Sequence, residues 1–357
     1  MRVLIIGFFT RTYMPYIDKY EKCLKSANVE YDVAFFDRDC TLKDVLHVDN
    51  EYTYCHITKT SRLKKLIPVF CYIRLVKKLI KEHRYDKLIV LTTMPAVLLQ
   101  SVLINEYSGR YIFDYRDTTY EQFGFFKKLV NKLVEHSSIT VISSRGFLNI
   151  LTANTKIMIN HNISNVADAV SVVDDITVKN PIVIGFLGYL RYFDVNSILI
   201  NQFKDKPNFR LLYVGTAFAD CDLATYVKIT GADNVEVRGK FNNMDKAKLY
   251  KNIDIINAMY SIKLLEVQYA LPNKVYDVAL FKKPIMTTKN TFLAEIVEKY
   301  KLGFSVDPFT DNIPDKVQEY LAHFDADEFL HACNTFLRIV NEDEQRLEQK
   351  IWEFIEC

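Results

Sequence analysis

The sequence predicts an α/β fold made of two Rossmann-like, doubly wound domains that face each other across a cleft. Short runs of β-branched and aromatic residues alternate with amphipathic helical stretches along the whole chain, as in parallel sheets with crossover helices. This alternation stops in a polar stretch at 162–180 and resumes after Pro181. With 357 residues, the chain is also about twice as long as a typical single domain.

Each predicted domain contains six strands. The N-terminal domain is expected over residues 1–165, with strands VLIIGF (3–8), YDVAFF (31–36), KLIVLT (87–92), YIFDY (111–115), ITVIS (139–143) and KIMIN (156–160). The C-terminal domain is expected over 181–340, with strands IVIGFL (182–187), FRLLYVG (209–215), NVEVRG (234–239), IDIIN (253–257), PIMTT (284–288) and GFSV (303–306). The chain from about Pro314 onward has a helical pattern and ends in a helical segment at 341–357.

The composition is that of a folded protein, with 49% apolar and 25% charged residues. The charge is uneven, because residues 1–165 carry a net +8 and the rest a net −6. No apolar run reaches the ~18–20 residues needed to span a bilayer. The seven cysteines form no CxxC pair, and their irregular spacing favours free thiols in a reducing compartment. We therefore expect a cytoplasmic protein.

Candidate site residues in the N-terminal domain follow its strands, because open parallel sheets bind ligands beyond the carboxyl ends of their strands. Thr10 and Arg11 follow the first strand in GFFTRT, whose single glycine excludes the dinucleotide fingerprint GxGxxG. Arg116 and Asp117 follow the fourth strand. A carboxylate beside a cleft acts as a general base once its surroundings tune its pKa, which makes Asp117 a candidate. Alternatively, Arg116 and Asp117 form an ion pair that only shapes the loop.

Candidate site residues in the C-terminal domain point to an anion. Gly188 and Arg191 follow its first strand, and an arginine fork beside a glycine suits phosphate oxygens. Asn273 and Lys274 lie at a predicted helix N-terminus, where a diphosphate is favoured. Asp277, one turn into this helix, suits hydrogen bonds from a ribose diol. The alternative is a capped surface helix that binds nothing.

Several segments, in this order along the chain, resemble the GT-B glycosyltransferases, in particular family-4-like enzymes of bacterial capsule and surface-polysaccharide assembly. The resemblance is strongest from Pro181 to Pro308, and it also includes IFDYRD and KIMINHN in the first half. Its main segments are IVIGFLGYLR, LLYVGTAF, VEVRGKFNNMDKAKLYKNIDIINA and PNKVYDVALFKKPIMTT. The resemblance implies the GT-B fold, in which the C-terminal helix, here within 341–357, crosses back onto the N-terminal domain.

The resemblance also implies a nucleotide-sugar donor, a UDP-sugar, held mainly by the C-terminal domain. Family members bind the diphosphate through an arginine in the position of Arg191 and the ribose through an acid in the position of Asp277. The backbone around Gly239 and Lys240 would bind the base. The implied acceptor is a hydroxyl of a lipid-linked glycan that the N-terminal domain binds, with Thr10, Arg11 and Arg116 on the acceptor side.

In the implied reaction, Arg191 and Lys274 stabilise the charge that develops on the diphosphate leaving group, with no metal and no cofactor. Asp117 would be the base if the enzyme inverts.

The sequence departs from the family at three places, one of which is Asp277, where aspartate replaces the commoner glutamate. Asn196 replaces a lysine that usually follows the arginine, and Lys274 is its expected substitute. The first acid of a family pair is missing, because Tyr269 stands near its place.

Glu266 is the nearest substitute for that acid. The sequence leaves open whether the transfer inverts or retains the configuration at the sugar carbon. Two other functions also stay open: a nucleotide-sugar 2-epimerase of GT-B fold, and a non-catalytic sugar-nucleotide-binding subunit of an assembly complex. The DRD at 37–39 matches a metal-binding DxD motif, but it is short and follows only the second strand. No zinc spacing occurs, so we expect His161 to be structural and the protein to bind no metal.

A basic stretch at 59–87 carries ten Lys and Arg against Glu82 and Asp86, with apolar residues at helical spacing. Basic amphipathic helices lie on anionic lipid, so we expect this stretch to bind an anionic membrane surface at the inner face of the membrane. Residues 123–133 are a possible second contact, and Pro68 must start or kink the helix. Alternatively, the apolar face packs on the sheet and the charges are solvated. No nucleic-acid motif accompanies the charge, so no nucleic acid is expected.

Overall fold

The structure, a computed structural model, describes residues 1–37, 47–48, 50–55, 66–152, 154–163, 170 and 172–356. The chain divides into two compact units. The first unit comprises Met1–His161 together with Glu342–Cys357, and the second comprises Asn162–Asn341. Each unit is built around one β-sheet with helices on both faces.

The sheet of the first unit has eight strands among the described residues. They are β1 (Arg2–Ile6), β2 (Glu30–Asp37), β3 (His47–Val48), β4 (Glu51–Cys55), β5 (Lys87–Leu91), β6 (Tyr111–Tyr115), β7 (Ile139–Ile142) and β8 (Ile157–Ile159). Their order is β3-β4-β2-β1-β5-β6-β7-β8, and neighbours are parallel except β3 and β4. The strand order reverses beside β1, which is where such sheets bind ligands. The sequence analysis missed β3 and β4, because they are short strands at the sheet edge without an apolar run.

Helices cover both faces of this sheet. They are α1 (Ile17–Ser26), α2 (Leu66–His83), α3 (Thr93–Leu98), α4 (Gln100–Asn105) and α5 (Gly124–His136). α1 packs against alternate strand residues such as Val3, Ile5 and Val33. On α2, the buried Tyr72 donates its hydroxyl to the main-chain oxygens of Gly7 and Ala34, and this bond fixes the helix to the ends of β1 and β2.

Three cations at the amino edge of this sheet bind the C-termini of helices. Lys156 Nζ donates to the carbonyl oxygen of Ser137 at the end of α5 (3.0 Å), and Arg110 donates to that of Glu106 at the end of α4. Lys87 donates in the same way to the end of the last helix. Parallel strands with crossover helices bring the negative helix ends to this edge. Helix capping therefore explains why a cavity of about 550 Å³ here is lined by cations.

The sheet of the second unit has six strands among the described residues. They are β9 (Ile182–Leu187), β10 (Phe209–Val214), β11 (Val235–Arg238), β12 (Ile255–Ala258), β13 (Ile285–Thr288) and β14 (Gly303–Val306). All neighbours are parallel, in the order β11-β10-β9-β12-β13-β14. This is the strand order of a Rossmann domain, with its reversal between β9 and β12. The two sheets together confirm the predicted fold class of two doubly wound α/β domains.

The helices that follow these strands form two apolar layers. They are α6 (Phe193–Phe203), α7 (Leu223–Thr230), α8 (Lys246–Tyr250), α9 (Leu265–Tyr269), α10 (Lys274–Phe281), α11 (Phe292–Lys299), α12 (Ile313–Ala322) and α13 (Ala326–Glu356). α6, α7 and α12 pack on one face of the sheet, and α8, α10 and α11 pack on the other. Side-chain caps begin several of them, for example Asp222, which accepts from the Thr225 amide at 3.0 Å.

α13 is 31 residues long and contributes to both units. Phe336 and Val340, in its first half, belong to an apolar core of the second unit. Leu347, Ile351 and Phe354, in its second half, pack with α1 in the core of the first unit.

The basic stretch predicted at 59–87 falls partly on α2, and its residues 59–65 lie outside the described residues. α2 begins at Leu66, so Pro68 stands in the first turn, where its missing N–H costs no helical hydrogen bond. The apolar stripe of the helix is buried in the unit, as the alternative interpretation expected, at Ile73, Val76 and Leu79.

The cysteines differ in one respect from the expectation of free thiols. Cys23, Cys71, Cys221 and Cys333 are free. Cys55, at the end of β4, is disulfide-bonded, so the expectation is wrong there. Spacing along the sequence does not predict pairs that only folding brings together. Among the described residues, no helix is long and apolar enough to span a membrane.

Candidate functional site

Two glycines shape the carboxyl edge of the second sheet. Gly188 follows β9 with φ +133°, and Gly215 follows β10 with φ +155°. A Cβ atom on Gly215 would lie 1.6 Å from the carbonyl oxygen of Gly188, so only glycine permits this approach. The two loops then run side by side, and the amide of Phe218 donates to the carbonyl of Leu190 at 3.0 Å. The result is a fixed, backbone-lined floor beside the strand-order reversal.

Arg191 projects from this floor without a carboxylate partner among the described residues. Its guanidinium lies 4.2 Å from the ring centroid of Phe218 and 5.9 Å from that of Tyr189. Its Nε is buried without a hydrogen-bond acceptor in the described part of the chain. Asn196 donates to the main-chain oxygen of Arg191 at 2.8 Å, so it holds the loop and supplies no charge. An arginine held by ring faces keeps its donors available for an anion.

Lys274 and Gly188, which are far apart in sequence, are brought together here. A Cβ atom on Gly188 would lie 3.7 Å from Lys274 Nζ. The ammonium is buried, lies 3.7 Å from the ring centroid of Phe186 and donates to the hydroxyl of Tyr260 at 3.2 Å. Burial lowers the pKa of Lys274 to about 7. The negative charge of Asp277 opposes this shift, the positive charge of Lys246 adds a smaller contribution to it, and burial is the largest of the three effects. The site therefore holds a cation that lacks a direct counter-ion among the described residues.

Asp277 is buried and already engaged by the protein. Lys246 Nζ lies 2.6 Å from its Oδ1, and the hydroxyl of Tyr250 donates to its Oδ2 at 2.8 Å. Asp277 is only 2% exposed. Its predicted contact with a ribose diol stays a prediction.

The remaining predicted donor residues surround this cluster on other elements. Asn273 is the exposed N-cap residue of α10, one residue before Lys274. Gly239 and Lys240 are exposed directly after β11. Glu266 lies on α9 and is close enough to Tyr192, in the loop after β9, to help raise the pKa of its hydroxyl, although burial is the larger cause. Their roles stay predictions.

In the first unit, Arg116 forms a buried ion pair with Asp114. Its Nη2 lies 2.9 Å from Asp114 Oδ2, which also accepts from the Tyr20 hydroxyl at 2.6 Å. The guanidinium stacks on Tyr16, 4.0 Å from the ring centroid. The alternative interpretation, an ion pair between Arg116 and Asp117, is therefore wrong in its partner, because residues 114 and 116 project to the same side of the chain and the carboxylate of Asp114 accepts hydrogen bonds from Arg116.

Asp117, immediately after this pair, has a different environment. Its side chain is exposed, and among the described residues no hydrogen bond or ion pair reaches its carboxylate. Nearby protein still displaces enough water to raise the pKa of Asp117, and the negative charge of Asp114 adds to the rise while Arg116 opposes it. A reachable carboxylate with a raised pKa is the property expected of a general base.

Thr10 and Arg11 lie after β1 and differ in accessibility. Thr10 is buried at the start of a short 3-10 helix. Arg11 donates to both carboxylate oxygens of Glu21, at 2.7 and 2.9 Å, and Glu51 lies 3.4 Å away. These carboxylates raise the pKa of Arg11. Its charge is thus neutralised within the unit.

His161 and Arg145 share one carboxylate on α13. His161 Nε2 lies 3.1 Å from Asp343 Oδ2, and Arg145 donates to both oxygens of Asp343 at 2.8 Å. Burial alone would raise the pKa of Asp343, but these two partners outweigh it and lower that pKa. The cluster fixes the C-terminal helix on the first unit. For the DRD at 37–39, Asp37 is buried at the end of β2, and the other two residues lie outside the described residues.

Sequence reasoning missed four residues of the second-unit cluster: Lys246, Tyr250, Tyr260 and Phe218. Each comes from a different element from the predicted residue that it contacts. Lys246 stands in the segment KFNNMDKAKLY, where two other lysines, Lys240 and Lys248, carry the same signal. Only the pairing of α8 with α10 distinguishes it.

Two doubly wound units in one chain are the architecture of the GT-B glycosyltransferases, and solved enzymes of that architecture are similar to this structure. The Anabaena protein HepE, solved in complex with UDP-glucose, has a TM-score of 0.64 at 16% identity over 100% of this chain and 99% of its own. The lipopolysaccharide outer core galactosyltransferase WaaB has 0.67 at 12% over 99% of both chains. Sucrose-phosphate synthase from Thermosynechococcus elongatus has 0.67 at 12% over 98% of both.

No protein-family model matches the sequence, and no curated protein matches it either. At these identities the similarity to solved structures establishes the fold. The donor, the acceptor and the site residues of this chain follow only as proposals.

The lowered pKa of Lys274 predicts how stability depends on pH. The folded-state pKa is about 7, against 10.5 for the free group, so the unfolded chain binds more protons between these values. The contribution of Lys274 to the free energy of unfolding therefore rises with pH in that window, with a slope approaching ~1.4 kcal/mol per pH unit. Below about pH 7 the full cost of burying the charge is present.

Urea unfolding of the wild type and of Lys274→Met between pH 6 and 9 would measure this slope. We expect the wild type to gain stability relative to Lys274→Met as pH rises. Lys248→Met, which removes an exposed lysine of α8, should keep the slope of the wild type. A difference between wild type and Lys274→Met that does not change with pH would contradict the lowered pKa.

Proposed function

We propose that this protein is a glycosyltransferase that transfers a sugar from a nucleoside diphosphate sugar, a UDP-sugar, to a hydroxyl acceptor. The observation that carries the proposal is the pair of cations at the carboxyl edge of the second sheet. Arg191 is held by aromatic rings, and Lys274 is buried beside Gly188. Both lack a directly bonded carboxylate in the described part of the chain. Burying such charge is costly without an anion, and the HepE complex with UDP-glucose supports the donor class.

In the proposed mechanism, the diphosphate of the donor lies on the glycine floor of the second unit. Arg191 and Lys274 bind its oxygens, and the N-terminus of α10 after Asn273 adds the positive end of its dipole. As the bond from sugar to phosphate breaks, negative charge accumulates on the leaving diphosphate. Positioned cations in a water-poor site stabilise that charge more than they stabilise the bound substrate. We propose that these two cations do this without a metal or other cofactor.

The segment after β11, around Gly239 and Lys240, is the proposed contact for the base. Glu266 on α9 is the proposed substitute for the missing first acid of the family pair. These assignments come from the resemblance in sequence. The exposure of Gly239 and Lys240 is compatible with contact to a ligand.

Asp117 is the proposed base for an inverting reaction. It would accept the proton of the acceptor hydroxyl while that oxygen attacks the sugar. Arg116 is bound to Asp114, so the strongest nearby cation does not neutralise Asp117 directly. Thr10, Arg11 and Arg116 are proposed to line the acceptor side. Arg11 and Arg116 have internal carboxylate partners, so hydrogen bonding rather than net charge would be their contribution.

The proposed acceptor is a lipid-linked glycan of surface-polysaccharide assembly, met at the inner face of an anionic membrane. The GT-B fold does not fix the acceptor, since the similar structures include a lipopolysaccharide galactosyltransferase and a sucrose-phosphate synthase. The surface of the first unit favours an acceptor that is linked to a lipid. Exposed apolar residues lie near the N-termini of two of its helices. By exposed fraction they are Ile67 (55%) and Phe70 (61%) on α2, and Phe123 (52%) and Phe125 (69%) at the start of α5.

Basic residues follow these apolar residues along the same helices. Arg74, Lys77, Lys78 and Lys81 are exposed on α2. The remaining apolar stripe of α2 is buried in the unit, so only its first turn is left to enter a membrane interface. Apolar residues that insert at the headgroup level beside cations that attract anionic lipid are the two elements of peripheral binding.

The donor proposal predicts that UDP stabilises the protein. At 100 times its dissociation constant, UDP should raise the unfolding free energy by about 2.7 kcal/mol, measured as a shift in thermal unfolding. The shift should persist in EDTA and disappear in Arg191→Ala, which should also lose most turnover. Arg210→Ala, which removes a half-exposed arginine paired with Glu236, should keep both. A wild type that no nucleoside diphosphate stabilises would contradict the proposal.

Product analysis separates the alternatives to transfer. Conversion of the donor without any acceptor would indicate a 2-epimerase. A donor that binds and stays intact with every acceptor would indicate a non-catalytic subunit.

The role of Asp117 predicts a specific pH profile. Asp117→Asn should lower kcat by about 10²- to 10⁴-fold and leave UDP affinity unchanged. In the wild type, kcat/KM should fall as pH drops through the pKa of Asp117, which lies above that of a free aspartate, because the base must be ionised. The residual kcat/KM of Asp117→Asn should not show this fall at low pH. An unchanged kcat in that variant would remove Asp117 from the mechanism.

The membrane proposal predicts sedimentation with anionic vesicles. The protein should pellet with vesicles of phosphatidylcholine and phosphatidylglycerol at low salt, less at high salt, and little with phosphatidylcholine alone. Phe70→Ser should reduce the bound fraction severalfold. Ile229→Ser, which removes an isoleucine 78% exposed on α7 of the second unit, should bind as the wild type. Equal binding of the two variants would show that α2 does not make the contact.

A further inference from the structure

We propose that Lys246 is a further cation of the donor site and binds the diphosphate alongside Lys274, while Asp277 holds Lys246 in place. This inference rests on the proposed function, because it assigns a ligand contact within the same site. It changes the expected role of Asp277 from an acceptor of ribose hydrogen bonds to a buried counter-ion.

The first step concerns whether a ligand reaches Lys246 or Asp277 more readily. Lys246 begins α8, and its Nζ lies 2.6 Å from Asp277 Oδ1 on α10. The hydroxyl of Tyr250, itself buried, donates to the other oxygen at 2.8 Å. The Asp277 side chain is 3% exposed and the Lys246 side chain 14%. Lys246 is therefore the more exposed member of the pair, and a ligand that arrives from outside reaches its side chain more readily than the carboxylate.

The second step concerns charge. Lys246 and Lys274 share a single carboxylate, Asp277, so the three groups carry a net positive charge in a buried cluster whenever Lys274 is protonated. The charges are close enough to act on one another, since Lys246 lowers the pKa of Lys274 and Asp277 opposes this. Buried charge is costly unless it is paired. A bound diphosphate would neutralise the excess and stabilise both ammonium groups.

The third step concerns position. Lys246 follows the loop that leaves the carboxyl end of β11, and Lys274 lies against Gly188 at the carboxyl end of β9. Carboxyl ends of parallel strands share one edge of a sheet. A ligand on that edge can contact both ammonium groups. The bond to Asp277, whose carboxylate is itself held by Tyr250, restricts the rotamers of Lys246 beforehand. Such preorganisation strengthens binding, because less side-chain freedom is lost.

Titration calorimetry on the full chain with UDP and with inorganic pyrophosphate tests the inference. Lys246→Met should weaken both ligands by the same factor, about 10- to 100-fold, as expected for the loss of one charge-assisted contact to phosphate. Lys246→Arg, which keeps the charge, should recover most of the affinity. Lys248→Met, on the same helix and exposed, should bind as the wild type.

Lys246→Met leaves the carboxylate of Asp277 buried with one donor fewer, so it is paired with the double variant Lys246→Met/Asp277→Asn. The double variant removes the orphaned charge and should restore the thermal stability but not the affinity. Restored affinity in the double variant would show that Lys246 only compensates Asp277 and would overturn the inference.

Two other results would also overturn the inference. One is a loss of UDP affinity with pyrophosphate binding unchanged, which would place Lys246 at the nucleoside half of the ligand. The other is unchanged binding of both ligands in Lys246→Met. Failure of the proposed function has a separate signature, namely a wild type that binds no nucleoside diphosphate. In that case pyrophosphate alone tests Lys246, and a wild type that also fails to bind pyrophosphate overturns the inference as well.

Discussion

The common direction of the strands is the constraint on which the rest of this structure depends. Parallel strands joined by crossover helices place all strand carboxyl ends and helix N-termini at one edge of each sheet, and all helix C-termini at the other. Cations occur at both edges, but for opposite reasons. At the amino edge of the first sheet, Lys87, Arg110 and Lys156 satisfy helix carbonyl groups. At the carboxyl edge of the second sheet, Arg191 and Lys274 have no carboxylate partner among the residues that the structure describes, which leaves them available for an anion.

The two units use the same architecture but differ in how they balance charge. In the first unit both candidate arginines have a carboxylate at hydrogen-bond distance: Arg116 has Asp114 and Arg11 has Glu21. In the second unit the candidate Arg191 is held on aromatic rings, and two lysines share the carboxylate of Asp277. A diphosphate therefore has a physical reason to prefer the second unit. The net charge along the sequence gives the opposite impression, because the basic half of the chain is the first.

The sequence predicted the fold well because apolar runs of strand length report burial directly. Twelve expected strands are present, and the missed β3 and β4 are short and half-polar. The cluster at the carboxyl edge of the second sheet was predictable in part, since Gly188, Arg191 and Lys274 follow strands or begin a helix. Their partners were not, because Lys246, Tyr260 and Phe218 reach them across elements. The alternative pairing of Arg116 with Asp117 failed for the same reason: neighbours in sequence need not face each other when one of them lies within a strand.

α13 makes the first unit discontinuous in sequence. Its core takes Leu347, Ile351, Phe354 and Ile355 from the last turns of a helix that begins in the second unit. A fragment that ends at His161 would leave the apolar side of α1 uncovered. During synthesis on the ribosome, domains generally fold in order from the N-terminus. The core of the first unit, by contrast, would be complete only after the second half of α13 has been synthesised. The second unit, whose segment is contiguous, is the part of the chain that can finish folding without a distant piece.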